Sequence, residues 1–286
     1  MDTAPMIDPD LPMTEETPLV YIILGAPDSG RREVLADLID GGLAEGDRAA
    51  VLLSANEPAS EHDAKFATVA RWKWHDGVVD AMLPPGATHV FFVTDGRLNP
   101  VDQIEALQAW LKVVPAELGR VITVVNCQFA EKHPALVTWY EACIHFSDVT
   151  LLNRREGVAN KWMSEFQTRF KELCFPCLFE IVKAGRVKNP IIVLDPQARR
   201  MSHIFDIDEW TGIDLEGVEF GTEGADEPET EDDDKPAKAD SGKKKGHPNQ
   251  SPLDDDDWLP EKEAYFEILP NGRRAKEIPD IAKYLG

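Results

Sequence analysis

Short apolar runs alternate with amphipathic stretches along the first two thirds of this 286-residue chain. The apolar runs are rich in Val, Ile and Phe, which is typical of strands buried on both faces. In the stretches between them, apolar residues recur every three or four positions, which indicates helices. The pattern predicts strands at 18–26, 49–53, 89–93, 121–125, 149–152 and 191–194, and helices at 31–40, 101–114, 134–146 and 158–173.

Strands that alternate with helices in this way form a parallel sheet with helices on both faces. The expected fold class is therefore α/β, with a doubly wound, mostly parallel sheet. Ligands bind such sheets at the carboxyl ends of the strands. The loops after residues 24, 53, 93, 125 and 152 are the expected place of a functional site.

The alternation stops in the last quarter of the chain. Residues 222–257 carry thirteen carboxylates and five lysines, and their few apolar side chains are Ala and Leu. Such a stretch cannot offset its ordering entropy by burial, so we expect disorder there. The predicted segments are a flexible tail at 1–17, the α/β domain at 18–215, a disordered acidic linker at 216–257 and a C-terminal docking segment at 258–286.

The C-terminal docking segment regains an ordered pattern. The letters AYFEIL are typical of a strand, a Pro-Asn-Gly turn follows, and a short helix is expected near residues 280–285. A lone hairpin is only marginally stable in water. We expect the segment to dock, either on its own domain or on a partner protein.

The net charge of −22 argues against binding to nucleic acid, because phosphate backbones repel an acidic surface. No apolar run reaches the roughly 18 residues that span a bilayer. The first 17 residues also lack the basic and apolar regions of a signal peptide, so we expect a cytoplasmic protein without membrane contact.

The chain has four cysteines, which we expect to be reduced and mostly buried in that compartment. Cys174 and Cys177 have the spacing of a redox or metal pair, but no second close pair with nearby histidines completes a zinc site. The other two are Cys127 and Cys143.

A loop with two spaced glycines joins the first predicted strand to the first predicted helix. Its residues are Gly25, Ala26, Pro27, Asp28, Ser29, Gly30, Arg31 and Arg32. The glycine spacing is that of the phosphate-binding loop G-x-x-x-x-G-K-[ST], in which backbone N–H groups and a helix N-terminus converge on an anion. Arg31 keeps a positive charge, but Arg32 offers no oxygen to Mg²⁺ and Asp28 adds a negative charge. The loop is a working cradle, a damaged one or a structural turn.

Further motifs follow the later predicted strands in a recognisable order. They are Asn56-Glu57, then Asp95-Gly96 with Pro100, then Val125-Asn126, Ser147-Asp148 and finally Asn153-Arg154-Arg155-Glu156. Together with the glycine loop, they resemble the motifs of the CobW family of P-loop GTPases and metal-handling proteins, relatives of UreG and HypB. The resemblance covers residues 18–205 and implies a sheet of the P-loop NTPase type.

The resemblance also implies a nucleotide site. Its phosphate loop would be Gly25, Asp28, Ser29, Gly30, Arg31 and Arg32, its second phosphate loop Asp95 and Gly96, and its base pocket Asn153, Arg154 and Glu156. Val93 stands where the family has an acid, and the family's Gly-Cys-x-Cys-Cys metal motif is missing because no cysteine precedes Cys127. We therefore expect weak binding of GTP or another nucleotide without Mg²⁺, no catalytic residue and no bound metal.

These departures favour a degenerate nucleotide-binding protein, a pseudo-GTPase that acts through protein contacts. Two alternatives stay open: an active, GTP-binding GTPase of the metallochaperone kind, and an interaction scaffold that binds no nucleotide. Trp72 and Trp74 alternate and so share one side of a predicted strand, either in the core or as an exposed aromatic patch. A protein partner is expected at the C-terminal docking segment or at the Trp72/Trp74 surface.

Overall fold

A sheet of eight strands forms the centre of the molecule. The computed structural model describes residues 17–206 and 263–285, so the expected acidic linker and all but the last residue of the expected N-terminal tail lie outside the described residues. The strands are β1 (Leu19–Leu24), β2 (Ala49–Ser54), β3 (Val69–His75), β4 (Val78–Asp80), β5 (His89–Val93), β6 (Glu117–Asn126), β7 (Val149–Asn153) and β8 (Leu178–Ile181).

Helices cover both faces of this sheet. They are α1 (Arg31–Gly42), α2 (Pro100–Leu111), α3 (Cys127–Lys132), α4 (Val137–His145), α5 (Asn160–Glu172) and α6 (Pro190–Leu194), with 3-10 turns at Glu61–Lys65, Pro134–Leu136 and Ile281–Tyr284. The strand order is β4-β3-β2-β5-β1-β6-β7-β8, and every pair is parallel except β3 with β4. The expected fold class, α/β with a doubly wound, mostly parallel sheet and helices on both faces, is confirmed.

Alternation along β1 divides the core into two layers. Val20 and Ile22 point into the layer that holds α2, α4 and α5, whereas Tyr21 and Ile23 point into the layer that holds α1 and α6. Successive strand residues face opposite sides of a sheet, so a fully apolar strand can serve both layers. Within the described residues, no helix is long and apolar enough to cross a membrane.

The sequence prediction gives no bounds for β3, β4 or β8, although it places Trp72 and Trp74 on one strand. Strands β3 and β4 pair with each other. They form a hairpin around Asp76 and Gly77, whose φ angles are 47° and 83°. Two positive φ angles in a two-residue loop match the twist of paired strands, and an Asp-Gly dipeptide is a strong hairpin signal. The signal was present in the sequence, but the polar residues of β3 obscured it.

The prediction of a sixth strand at 191–194 is wrong. This stretch is helix α6, which begins at Pro190, a residue whose fixed φ favours the first helical position. Ile191 and Ile192 are 69% and 50% exposed, and only Val193 and Leu194 are buried. Strands inside a parallel sheet are buried on both faces, whereas this apolar run is buried on one side only.

Residues 263–285, called the C-terminal segment below, pack on the helices of the same unit. Tyr265 and Ile281 are nearly completely buried, and Tyr265 lies against His145 and Phe146 with ring centroids 4.7 and 5.5 Å apart. The predicted strand AYFEIL is reduced to one isolated bridge, Ile268 with Arg274. The predicted short helix is the 3-10 turn at Ile281–Tyr284.

Trp72 belongs to the core, so the alternative of an exposed Trp72/Trp74 patch is wrong for this residue. Its side chain is fully buried, lies 4.8 Å from the Phe92 ring, and donates a hydrogen bond from Nε1 to the Val93 carbonyl oxygen at 2.9 Å. Trp74 is partly buried on the same face of β3. Strand β4 and helix α2 cover the face of β3 that carries Trp72 and Trp74.

Candidate functional site

The glycine loop lies at the carboxyl end of β1, between β5 and β6, and leads into α1. Gly30 adopts a φ of 81°, and a Cβ atom there would lie 2.4 Å from Asn153 Nδ2. Only glycine fits such a backbone without strain or collision. The turn from β1 into α1 therefore requires glycine at this position.

Two asparagines at neighbouring strand ends hold this loop. Asn153, the last residue of β7, donates from Nδ2 to the Ser29 carbonyl oxygen at 2.9 Å. Asn126, the last residue of β6, donates to the Asp28 carbonyl oxygen at 3.3 Å and caps α3 by accepting from Phe129 N. Asn153, predicted for the base pocket, thus contacts the phosphate loop directly.

The predicted second phosphate loop packs on the first. A Cβ atom at Gly96 would lie 2.6 Å from the Gly25 carbonyl oxygen, so the two backbones approach as closely as glycine allows. The buried Asp95 carboxylate accepts hydrogen bonds from Ser54 Oγ, Asn56 Nδ2 and Arg97 N at 3.3, 3.3 and 3.0 Å. These contacts join the loops after β1, β2 and β5 at one edge of the sheet.

Arg31 is buried behind the loop. Its guanidinium donates to the Thr94 carbonyl oxygen at 2.5 Å and forms an ion pair with Glu57. Burial lowers the pKa of the Arg31 guanidinium, and the charge of Glu57 opposes that change. Since arginine stays protonated in proteins, Arg31 supplies a fixed positive charge that Glu57 already neutralises.

Arg32 is paired as completely as Arg31. Its Nη2 lies 2.5 Å from Glu57 Oε2, and its Nη1 lies 3.0 and 3.2 Å from the two carboxylate oxygens of Asp63. Asp63 is itself fixed, because its carboxylate also accepts from Ser60 N in the capping box of the 3-10 turn. We call Arg31, Arg32, Glu57 and Asp63 the arginine clamp.

Glu57 and Asp63 are the functional residues that sequence reasoning missed as ion-pair partners. Glu57 belongs to the predicted Asn56-Glu57 motif, and Asp63 belongs to none of the predicted motifs. A signal existed, because buried arginines need carboxylates and the loop after β2 is rich in them.

A cavity of about 340 Å³ opens beside the loop and the clamp. Its lining includes Ser29 Oγ and His62 Nδ1, two buried polar atoms that have no hydrogen-bond partner among the described residues. The N-terminus of α1, at the same place, has no side-chain cap. Arg97 also lines the cavity, and its guanidinium has no partner in the described part of the chain. A hydroxyl and an arginine without partners in the described part of the chain, next to an uncapped helix N-terminus, favour an anion at this place.

The predicted base pocket comes together only in part. Arg154 lines the cavity with a φ of 51°, and its guanidinium pairs with Glu33 at 3.1 Å. Asn153 lies beneath the loop, whereas the Glu156 side chain is exposed and its carbonyl oxygen accepts from Gln128 at 2.6 Å. Asp28 also lines the cavity and is exposed, so it adds negative charge to the cavity.

Mg²⁺ does not fit the position that the loop motif reserves for it. The motif places a hydroxyl there, but Arg32 occupies the position and turns its guanidinium toward Glu57 and Asp63. Across residues 17–206 and 263–285, no group of three or more His, Cys, Asp and Glu residues could hold a metal ion. The four cysteines are free thiols, and only Cys174 is exposed.

No protein-family model and no curated protein matches this chain. Among solved structures, the Zn(II)-bound YjiA GTPase from E. coli matches with 13% identity and a TM-score of 0.38 over 64% of this chain and 66% of that chain, just under two thirds of its length. HypB from Helicobacter pylori in complex with nickel matches with 11% identity and a TM-score of 0.39 over 58% and 79%. The signal recognition particle receptor FtsY from Elizabethkingia anophelis in complex with GDP matches with 14% identity and a TM-score of 0.39 over 67% and 65%.

Proposed function

We propose that this protein is a degenerate, CobW-like P-loop protein that binds a nucleotide weakly, does not hydrolyse it, and acts through protein contacts. The arginine clamp carries the proposal. The two residues that should hold the phosphate chain and the metal are both arginines, and both are bound to Glu57. Phosphoryl transfer loses a major electrostatic stabiliser when Mg²⁺ has no ligand at this point.

The cavity supports the binding part of the proposal. Its volume of about 340 Å³ falls within the usual range of ligand sites, and the loop backbone, the uncapped N-terminus of α1 and Arg97 favour an anion. Asp28, Glu33 and Glu57 also line it and oppose a highly charged ligand. Weak binding follows from this mixture of charges.

Thermal unfolding in the presence of GTP, GDP and ATP, each with and without Mg²⁺, tests the proposal together with a phosphate-release assay. We expect a small shift that does not need Mg²⁺, and no turnover. A shift of several degrees that requires Mg²⁺, or metal-dependent turnover, would establish the active GTPase instead.

A motif-restoring variant sharpens this test. Arg31→Lys with Arg32→Thr supplies the cation and the hydroxyl of the phosphate-loop motif, so we expect it to gain Mg²⁺-dependent stabilisation by GTP. The matched control Arg31→Lys keeps Arg32 and should show no dependence on Mg²⁺. Equal behaviour of the two variants would mean that Arg32 is not what excludes the metal.

The scaffold alternative is favoured by one further observation. Ile268 and Leu269 stand exposed at the tip of the C-terminal segment, next to a turn, and exposed apolar pairs are suited to protein contacts. If no nucleotide shifts the unfolding temperature, the scaffold is the better account. A partner captured by the full chain should then be lost with Ile268→Ser and Leu269→Ser, without a change in unfolding temperature.

A further inference from the structure

Resting on the proposed function, we propose that Glu57 acts as a resident anion of the site, and that a metal-free diphosphate group binds by taking the place of its carboxylate on Arg31 and Arg32. The protein would then be self-inhibited toward anions until a ligand displaces this one side chain.

The contacts of Glu57 resemble those of a bound phosphate. Its Oε1 pairs with Arg31 and its Oε2 with Arg32, so one carboxylate bridges two guanidinium groups. Arginines bind carboxylate and phosphate oxygens with the same planar donor geometry. The carboxylate therefore occupies donors that a phosphate could use.

Both arginines keep a hydrogen-bond partner within the protein when Glu57 leaves. When Glu57 departs, Arg31 keeps its hydrogen bond to the Thr94 carbonyl oxygen, and Arg32 keeps both oxygens of Asp63 at 3.0 and 3.2 Å. The Glu57 backbone can stay in place, since its N–H bonds Ser54 O at 3.1 Å and its carbonyl oxygen accepts from Arg71 at 3.0 Å. Only the side chain has to swing away, and it lies at the wall of the cavity.

The charges favour a diphosphate without metal. A diphosphate carries more charge than the single carboxylate that it replaces, and Arg97 adds to the same cavity a guanidinium without a partner among residues 17–206 and 263–285. A bound Mg²⁺ would cancel much of that charge and would meet two guanidinium groups instead of oxygen ligands. Binding should therefore be stronger in a chelator than in Mg²⁺.

Titration calorimetry of the full chain with inorganic pyrophosphate in EDTA tests the exchange. Glu57→Gln removes the competing charge and should raise the affinity about tenfold over the wild type. The matched control is Glu61→Gln, which removes the same charge from the same cavity wall. Glu61 is 90% exposed and contacts neither arginine, so the affinity should change less than about threefold.

The outcomes separate this inference from the proposed function. If the wild type binds pyrophosphate or GDP but Glu57→Gln binds no more tightly than Glu61→Gln, the exchange is wrong and the nucleotide proposal stands. If no variant binds either compound, both are wrong. GDP binding at least tenfold tighter than pyrophosphate would identify a nucleoside diphosphate as the ligand. Should Glu57→Gln fail to fold, Glu57→Asp, whose shorter side chain cannot bridge both arginines, must show the increase.

Discussion

Two carboxylates at opposite parts of this molecule, Glu57 and Glu263, are each held by several partners, but in different settings. Glu57 bridges two arginines in the wall of an open cavity. Glu263 accepts from His145 Nε2 at 2.8 Å, Ser202 Oγ at 2.9 Å and His203 N at 2.8 Å, next to the buried Tyr265 ring.

The contacts of the two carboxylates suit different roles: attachment of the C-terminal segment at Glu263, and at Glu57 the exchange for a ligand anion that we propose. Glu57 lines the cavity, and its two partners are the guanidinium groups that we propose a ligand anion takes over. The partners of Glu263 include a backbone N–H and a hydroxyl, which are neutral donors and attract a free anion less than two guanidinium groups do. The nature of the partners separates the two settings rather than exposure, because the Glu263 side chain is 18% exposed and the Glu57 side chain 9%.

Removal of residues 263–286, which include Glu263, should change the free energy of unfolding more than any other variant. The deletion exposes the surfaces that bury Tyr265 and Ile281, and burial of two such side chains stabilises by about 3–6 kcal/mol. We expect a correspondingly lower free energy of unfolding in urea. The exposed Ile268→Ser variant is the control and should unfold like the wild type; an unchanged free energy in the deletion would show that the segment is not attached.

Glu263→Gln and Glu57→Gln compare the two carboxylates directly. Each change weakens charged hydrogen bonds and should lower the free energy of unfolding by about 1.5–3 kcal/mol. Pyrophosphate should stabilise Glu57→Gln more than the wild type, because it can replace the lost anion, whereas Glu263→Gln should gain only as much stability as the wild type does. Urea unfolding with and without pyrophosphate measures this, and equal rescue of both variants would contradict the distinction.

The pH dependence of stability should come in part from Glu263. Burial raises the pKa of this carboxyl, but the hydrogen bonds from His145, His203 and Ser202 outweigh burial and hold the pKa below its ordinary value of 4.5. Because the folded pKa is depressed, the stabilisation is present above pH 4.5 and is lost as the pH falls through the folded pKa. The difference in unfolding temperature between wild type and Glu263→Gln should therefore shrink below pH 4.5. A constant difference down to pH 3 would refute this assignment.

The smallest effect is expected at Lys276, whose Nζ lies 4.2 Å from the centre of the Tyr265 ring. Lys276→Met removes a cation–π contact and should cost about 0.5–1 kcal/mol. Lys283→Met, in the same segment and with an exposed side chain, is the matched control. If both variants lose the same stability, the effect is one of charge alone.

Much of the fold followed from residues that are close in sequence. The strand patterns at 18–26 and 149–152 predicted β1 and β7, and the spaced glycines predicted a loop between β1 and α1. The prediction failed where tertiary contacts outweighed a local pattern, as at Ile191 and Ile192, which are apolar yet exposed on α6. Trp72 was ambiguous because burial of one strand face depends on what packs against it.

The sequence by itself determined most of the alternation of strands and helices, though not β4, β8 or α6. It also determined the glycines of the loop before α1 and the presence of arginines where the phosphate-loop motif has a lysine and a hydroxyl. Only the tertiary structure decided which groups neutralise those arginines. Glu57 and Asp63 lie 26 and 31 positions along the chain from Arg31 and Arg32, and they meet them only because the parallel sheet brings the end of β2 beside the start of α1. Periodicity depends on neighbours a few residues apart, whereas the choice of an ion-pair partner depends on where the whole sheet places two distant loops.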